Sequence, residues 1–155
     1  MGTRGTVTIK EDNVVLVRLY NQMDSYPSGL GSELADFIMS GTFVNGLGSR
    51  AGIQFNGAGC FAAALISKCK VGPGGIYISP AKSKDLQEYN YTFNIKWDYK
   101  NNALGKFDIE VTNYAGKVIF TAKLGKTCAW SKAPSSGFSH IPWVEFKEWC
   151  KRGRE

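Results

Sequence analysis

The hydrophobic positions of this chain repeat with two different periods. Tyr89, Tyr91, Phe93, Ile95 and Trp97 alternate with Asn90, Thr92, Asn94 and Lys96, which is the signature of a strand with one buried and one wet face. Phe107, Ile109 and Val111 alternate in the same way, as do Val118, Phe120 and Ala122, with turn residues at Asn101, Asn102, Gly105 and from Asn113 to Gly116. These three strands predict an antiparallel meander. Near the N-terminus, Thr6 to Ile9 and Val14 to Tyr20 are β-branched and apolar runs separated by Glu11, Asp12 and Asn13, which predicts a hairpin. Ile76 to Ser79 reads as a short strand closed by Pro80.

Between hairpin and meander the period changes. Leu30, Leu34, Phe37, Ile38 and Phe43 begin with helical spacing, so a first helix is expected from Ser28, as cap, to Met39, ending at Ser40-Gly41. A second is expected from Gly57 to Lys68, apolar on most sides from Cys60 to Ile66, with Lys68 and Lys70 opposing the negative end of its dipole. Pro142 suits the first turn of a final helix whose apolar stripe is Trp143, Phe146, Trp149 and Cys150. The order predicts an α+β fold: a mostly antiparallel sheet, made of an N-terminal hairpin and a C-terminal meander, with two central helices and a C-terminal helix.

The 155 residues fit a single domain spanning 1–155. Hydrophobic residues at 43% and charged residues at 21% exclude a disordered chain. Nineteen Lys and Arg against thirteen Asp and Glu give +6, which favours anionic partners. Lys117, Lys123, Lys126 and Lys132 fall in a stretch without acids and suggest one basic face, although solubility alone accounts for such charge. The four cysteines form no CxxC pair and His140 is the only histidine, so no metal and no cofactor is expected. Cys60 and Cys69 fall on opposite faces of one helix, and reduced thiols are the expectation. No apolar run approaches membrane-spanning length and no hydrophobic signal core opens the chain, so neither membrane nor secretion is expected. The sequon at Asn90 is therefore read as unused, and the loose acylation match at Gly2 as chance.

Two polar, glycine-bearing stretches carry the candidate chemistry. Tyr20 to Gly31 leaves a strand and opens a helix, and Gly29 and Gly31 in that first turn are costly unless something approaches the backbone closely. A helix N-terminus with bare amides binds anions, and Asn21, Gln22, Asp24, Ser25 and Tyr26 supply polar readers. The alternative is a well-capped turn packed on a neighbouring strand. The second stretch, Asn45 to Cys60, holds five glycines in sixteen residues and feeds the second helix, with Asn45, Asn56, Gly57, Gly59 and the planar fork of Arg50 as candidates. A dinucleotide fingerprint at Gly57-x-Gly59 is rejected, because no convincing strand precedes it and no acid lies about 20 residues on. A phosphate loop at Gly125-Lys126-Thr127 fails because the glycine it requires is Phe120. Neither a serine triad at His140 nor a Glu33/Asp36 carboxylate pair is favoured, and no catalytic residue is assigned. The element order is similar to that of the N-terminal nucleophile hydrolases, but Gly2 offers no nucleophile.

Gly2 to Gly5, Tyr20 to Gly31, Asn45-Gly46, Phe55 to Ala63 and Gly74 to Tyr77 together resemble a family of short proteins of bacteriophages and mobile elements, over roughly the first half of the chain. The resemblance carries no activity and no catalytic assignment. It implies a viral accessory protein in a host cytoplasm, where such proteins antagonise defence. The leading expectation is a non-enzymatic binder of a small anionic ligand, a nucleotide-type defence signal sequestered between helix N-termini and Arg4, Arg50 or Lys70, with Tyr20 beside them. The alternatives are an inhibitor that docks on a host defence protein through Trp130, Trp143 and Trp149, and a hydrolase of the same nucleotide class. Nucleic-acid binding would need Tyr89 to Trp97 to point outward and is not favoured. Self-association, where it occurs, is expected to be a symmetric dimer or a higher homo-oligomer.

Overall fold

The computed structural model describes residues 2–44, 53–98, 100, 103–123, 128–129 and 141–153. The fold is α+β. Among the described residues, nine strands and three α-helices follow in the order β1 (Gly5–Glu11), β2 (Val14–Asn21), α1 (Ser32–Met39), β3 (Gly41–Val44), β4 (Ile53–Asn56), α2 (Gly57–Cys69), β5 (Ile76–Ser79), β6 (Tyr89–Asp98), β7 (Ala103–Asn113), β8 (Val118–Lys123), β9 (Cys128–Ala129) and α3 (Ile141–Arg152). The main sheet has the order β5-β2-β1-β6-β7-β8, with β9 also pairing β7.

Each strand of the hairpin and of the meander pairs antiparallel with its neighbour in sequence. The two units meet through a parallel pairing of β1 with β6, from Gly5 against Tyr89 to Glu11 against Ile95. A parallel pair needs a long crossover, and here the crossover carries α1, α2 and the small strands between them.

Alternation decides which face is covered. Val7, Ile9, Leu19, Tyr91, Phe93, Ile95, Phe107, Ile109 and Val111 are buried, and Leu34, Phe37, Ile38, Phe61, Leu65 and Phe146 of the helices join them in one core. Phe37, Phe43, Phe55, Phe61, Phe93 and Phe107 form its centre, with ring centroids 5.0–6.0 Å apart. Such tilted and edge-on pairs contribute about 0.5–1.5 kcal/mol each beyond the area they bury. The outward aromatic face that nucleic-acid stacking requires is not formed by β6, since Tyr91 and Phe93 point into this core.

Three local expectations need correction. The first helix does not start from a Ser28 cap: Pro27–Gly31 is a π-helical turn without a side-chain cap, and α1 begins at Ser32. No strand is expected between the first two helices, but Phe43, just past the helix, lies in β3, which pairs parallel with β4 as a separate two-stranded sheet. Gly41 permits this pairing, because a Cβ there would stand 2.4 Å from the ring of Phe55. A strand, β4, therefore does precede Gly57. It pairs with β3 and not with the main sheet, so the second ground for rejecting a dinucleotide fold, the missing acid, is joined by topology.

Candidate functional site

The strand registers bring several of the glycine-bearing segments to one end of the sheet. Gly5 is level with Asn21 and Tyr89, Asn21 with Ile76, and Tyr89 with Asn113. Arg4, the Tyr20 to Gly31 segment, Lys70 and Gly74 to Tyr77 thus gather at this end. The start of α2 does not. A helix of 13 residues is about 20 Å long, so Asn56, Gly57 and Gly59 lie far from Lys70, and the candidate residues do not form one pocket. Asn45 and Arg50 lie outside the described residues.

Within the Tyr20 to Gly31 segment the polar groups turn inward. Asn21 Nδ2 donates to the Met23 carbonyl at 2.6 Å and to Ser25 Oγ at 2.8 Å. The Ser25 amide donates to the Thr3 carbonyl, and the Ser25 carbonyl accepts from Tyr91 Oη at 2.8 Å. Burial requires this, since an unpaired polar group away from water costs about 1–3 kcal/mol. Asn21 and Ser25 are therefore held in the framework of the turn. The helical turn that follows has no bare amides at Ser28, Gly29 and Leu30, which donate to the carbonyls of Gly153, Tyr26 and Asp24. Gly29 and Gly31 are approached closely, but by the chain itself: a Cβ on Gly29 would stand 2.3 Å from the Asp24 carbonyl oxygen, and one on Gly31 2.9 Å from Cys150 Sγ and 3.1 Å from Tyr91 Oη. The close approach to the backbone at Gly29 and Gly31 is made by the chain itself, in a turn that has no side-chain cap. Gln22 and Asp24 are exposed and Tyr26 half-buried.

Lys70 also serves the framework. Its Nζ donates to the carbonyls of Gly74 and Ile76, both at 2.8 Å, and lies 5.4 Å from the centre of the Tyr77 ring, which in turn packs 6.2 Å from Tyr20. The lysine closes the loop that leads into β5.

At the same end of the sheet, Arg4 lines an open cleft of about 580 Å³ with Lys84, Asp85, Leu86, Gln87 and Tyr114. One wall is the segment 80–88, which is held against the otherwise open sheet face. Arg18, buried on β2, donates through Nη1 to Ser79 Oγ at 2.6 Å and through Nη2 to the Asp85 carbonyl. Asn90 binds the Gln87 backbone twice, accepting from its amide at 3.0 Å and donating to its carbonyl at 2.8 Å, while Thr6 Oγ1 lies 2.9 Å from Asn90 Oδ1. The Asn90 amide is thereby occupied and buried, which leaves no room for a glycan at the sequon. Arg4 donates its backbone amide to Glu88 Oε1 at 3.2 Å. The other wall is the β7–β8 turn, where Asn113 Oδ1 accepts from the amides of Ala115 and Lys117, and Tyr114 stands 72% exposed. No ion pair among the described residues includes Arg4 or Lys84.

Sequence reasoning missed Lys84, Gln87 and Tyr114. The proline-bounded polar stretch after β5 was the available signal, but only strand pairing places that stretch beside Arg4. The basic face does not assemble on the described residues: Lys117 and Lys123 fall at opposite ends of β8, and Lys126 and Lys132 lie outside the described residues. Of the tryptophans proposed for docking, Trp149 is half-buried and stacked on Phe120 at 4.7 Å; Trp130 and the side chain of Trp143 lie outside the described residues. Cys60, Cys69 and Cys150 are free thiols. Among the described residues no three His, Cys, Asp or Glu side chains are placed to hold a metal ion, and no helix is long and apolar enough to cross a membrane. Compared with protein-family models, with curated proteins and with solved structures, the chain matches none.

Proposed function

We propose that this protein binds a small anionic ligand of the nucleotide class in the Arg4 cleft and releases it chemically unchanged. The observation that carries this reading is the convergence of Arg4 and Lys84, two cations with no ion pair among the described residues, with the exposed ring of Tyr114 around one cleft. A guanidinium fork matches two phosphate oxygens at once, an ammonium adds a point charge, and a tyrosine ring stacks on a base. The cleft volume lies in the range typical of small-molecule sites. In the setting implied by the resemblance to phage proteins, such binding would withdraw a nucleotide-type defence signal in an infected host. This role needs affinity and abundance, and no nucleophile.

The test is thermal unfolding with a panel of cyclic and ADP-ribose-type nucleotides, followed by denaturation and analysis of the released ligand. A ligand at 100 times its dissociation constant stabilises the native state by about 2.7 kcal/mol. Arg4→Ala and Lys84→Ala should each shrink that shift, and Tyr114→Ala should shrink it for base-bearing ligands more than for inorganic phosphate. Release of altered nucleotide would replace this reading with a hydrolase, and an absence of response across the panel would end it.

A protein partner is the second reading, favoured by the sheet edge at β5, which pairs only with β2 among the described residues and where Ile78 is 74% exposed. Ile78→Glu should leave the nucleotide response intact if the first reading holds.

A further inference from the structure

Arg18 is a cation in a buried place. It lies on β2, on the face opposite the core residue Leu19, and is 7% exposed. No carboxylate among the described residues pairs with it, and its charge meets neutral acceptors alone: Nη1 donates to Ser79 Oγ at 2.6 Å and Nη2 to the Asp85 carbonyl. Ser79 is the register partner of Arg18 on β5, so the first bond fixes the direction of the guanidinium. The second then reaches past the end of β5 into the segment 80–88. A guanidinium holds its donors in one rigid plane, whereas an ammonium is a single point charge on a flexible stem.

Little else holds that segment. Residues 80–86 bury no side chain. The Ser83 amide donates to the Pro80 carbonyl and the Asp85 amide to Ser83 Oγ, and both bonds stay inside the segment. Leu86 rests against the β7–β8 turn, where a Cβ on Gly116 would stand 3.3 Å from its Cδ1, and is itself 40% exposed. Firm attachment resumes at Gln87, bound twice by Asn90, and at Glu88, which accepts from the Arg4 amide. Between Pro80 and Leu86, the bond from Arg18 to Asp85 is thus the one hydrogen bond to the rest of the described fold. A stretch with so few buried contacts opens locally, ahead of the sheet beneath it.

We propose that Arg18 is the positioning residue of the Arg4 cleft: it latches residues 80–86 against the sheet, and an anion that bridges Lys84 and Arg4 holds the latched state closed. This rests on the reading of the cleft as an anion site. Lys84 adjoins the latched Asp85, while Arg4 directly precedes β1 and stays with the sheet. A phosphate group that touches both therefore binds the closed state more tightly than the open one, and that difference is what shifts the segment toward closure. When the latch lets go, the cleft keeps Arg4 and Tyr114 and loses Lys84.

The experiment is limited trypsin digestion of the whole protein, comparing cleavage after Lys82 and Lys84, exposed in the segment, with cleavage after Lys96 and Lys106, exposed in the paired strands β6 and β7. In Arg18→Lys and in Ser79→Ala the first two sites should be cut roughly tenfold faster than in the parent, because cleavage follows the open population and a charge-assisted hydrogen bond has been weakened. Cleavage after Lys96 and Lys106 should be unchanged. Ser79→Ala leaves Arg18 in place and carries the same test should Arg18→Lys fail to fold. Pyrophosphate should slow cleavage after Lys82 and Lys84 in the parent. Arg18→Lys should weaken pyrophosphate binding severalfold, yet cost nothing further in a Lys84→Ala background, as a residue acting through Lys84 must. Cleavage no faster in either variant, or faster at all four lysines alike, would overturn the latch whatever binds in the cleft. Additive losses from Arg18→Lys and Lys84→Ala would overturn the positioning role. Faster cleavage in the variants with no pyrophosphate effect in the parent would leave the latch standing and end both the closure by an anion and the anion reading of the cleft.

Discussion

Gly29 and Gly31, at the entrance to the first helix, and Gly57 and Gly59, at the entrance to the second, look alike in the sequence and are opposites in the fold. The first pair is pressed by the Asp24 carbonyl, Cys150 and Tyr91, while a Cβ on either of the second pair would meet nothing within 4 Å. Glycine at the first site is there because the chain leaves no room for a side chain. At the second, Gly57 is required by its φ of +80°, and Gly59 answers to neither constraint. The same residue type therefore marks tight internal packing in one place and open surface in the other. The cysteines follow the same division, with Cys150 buried against Gly31 and Cys60 exposed in the first turn of α2.

Thiol chemistry gives the largest contrast. A thiol reagent should modify Cys60 at the rate of a free thiol and Cys150 only through opening of the structure, slower by roughly three orders of magnitude or more for a domain of ordinary stability. Burial, with a smaller contribution from the charge of Asp36, pushes the Cys150 thiol up from 9.0 to about 12. The folded chain then keeps a proton that the unfolded chain loses, so the stability tied to this thiol is complete below pH 9 and falls as pH rises toward 12. Urea midpoints measured across that window should decline less steeply in Cys150→Ala than in the parent chain.

Gly29→Ala comes next. Its Cβ meets a backbone oxygen that already accepts from the Leu30 amide, so relief requires the turn itself to move, and a loss of about 3 kcal/mol in chemical denaturation is expected. Tyr91→Phe removes the donor to the buried Ser25 carbonyl and should cost about 2 kcal/mol by the same measurement. The smallest effects separate two neighbours in α2. Gly57→Ala should destabilise by about 1–2 kcal/mol because φ is positive, whereas Gly59→Ala should stabilise by up to about 1 kcal/mol through helix propensity. Equal effects at Gly29 and Gly59 would erase the distinction between the two regions.

Much of the architecture was legible in the chain. The alternation from Tyr89 to Trp97 and the turn residues around Asp12 and Asn113 dictated the hairpin and the meander, because side-chain period and turn chemistry are local properties. The β3–β4 pair was not legible, because four-residue strands carry too few alternations. The candidate site was legible only in part. Arg4 was visible as a cation near an unusual glycine segment, but nothing local connects it to Lys84 or to Tyr114, 110 residues away.

By itself, then, the sequence determined the hairpin, the meander, the short strand before Pro80, the three helices and their order, the α+β class and which face of the long strands is apolar, since each of these follows from the spacing of neighbouring residues. The tertiary structure alone decided that β1 lies parallel to β6, that Asn21, Ser25 and Lys70 are held as framework, and that Arg18 fastens the segment bearing Lys84 beside Arg4. Those outcomes depend on contacts between residues far apart in the chain, where burial obliges every polar group to find a partner, and the spacing of neighbours carries no record of which partner it finds.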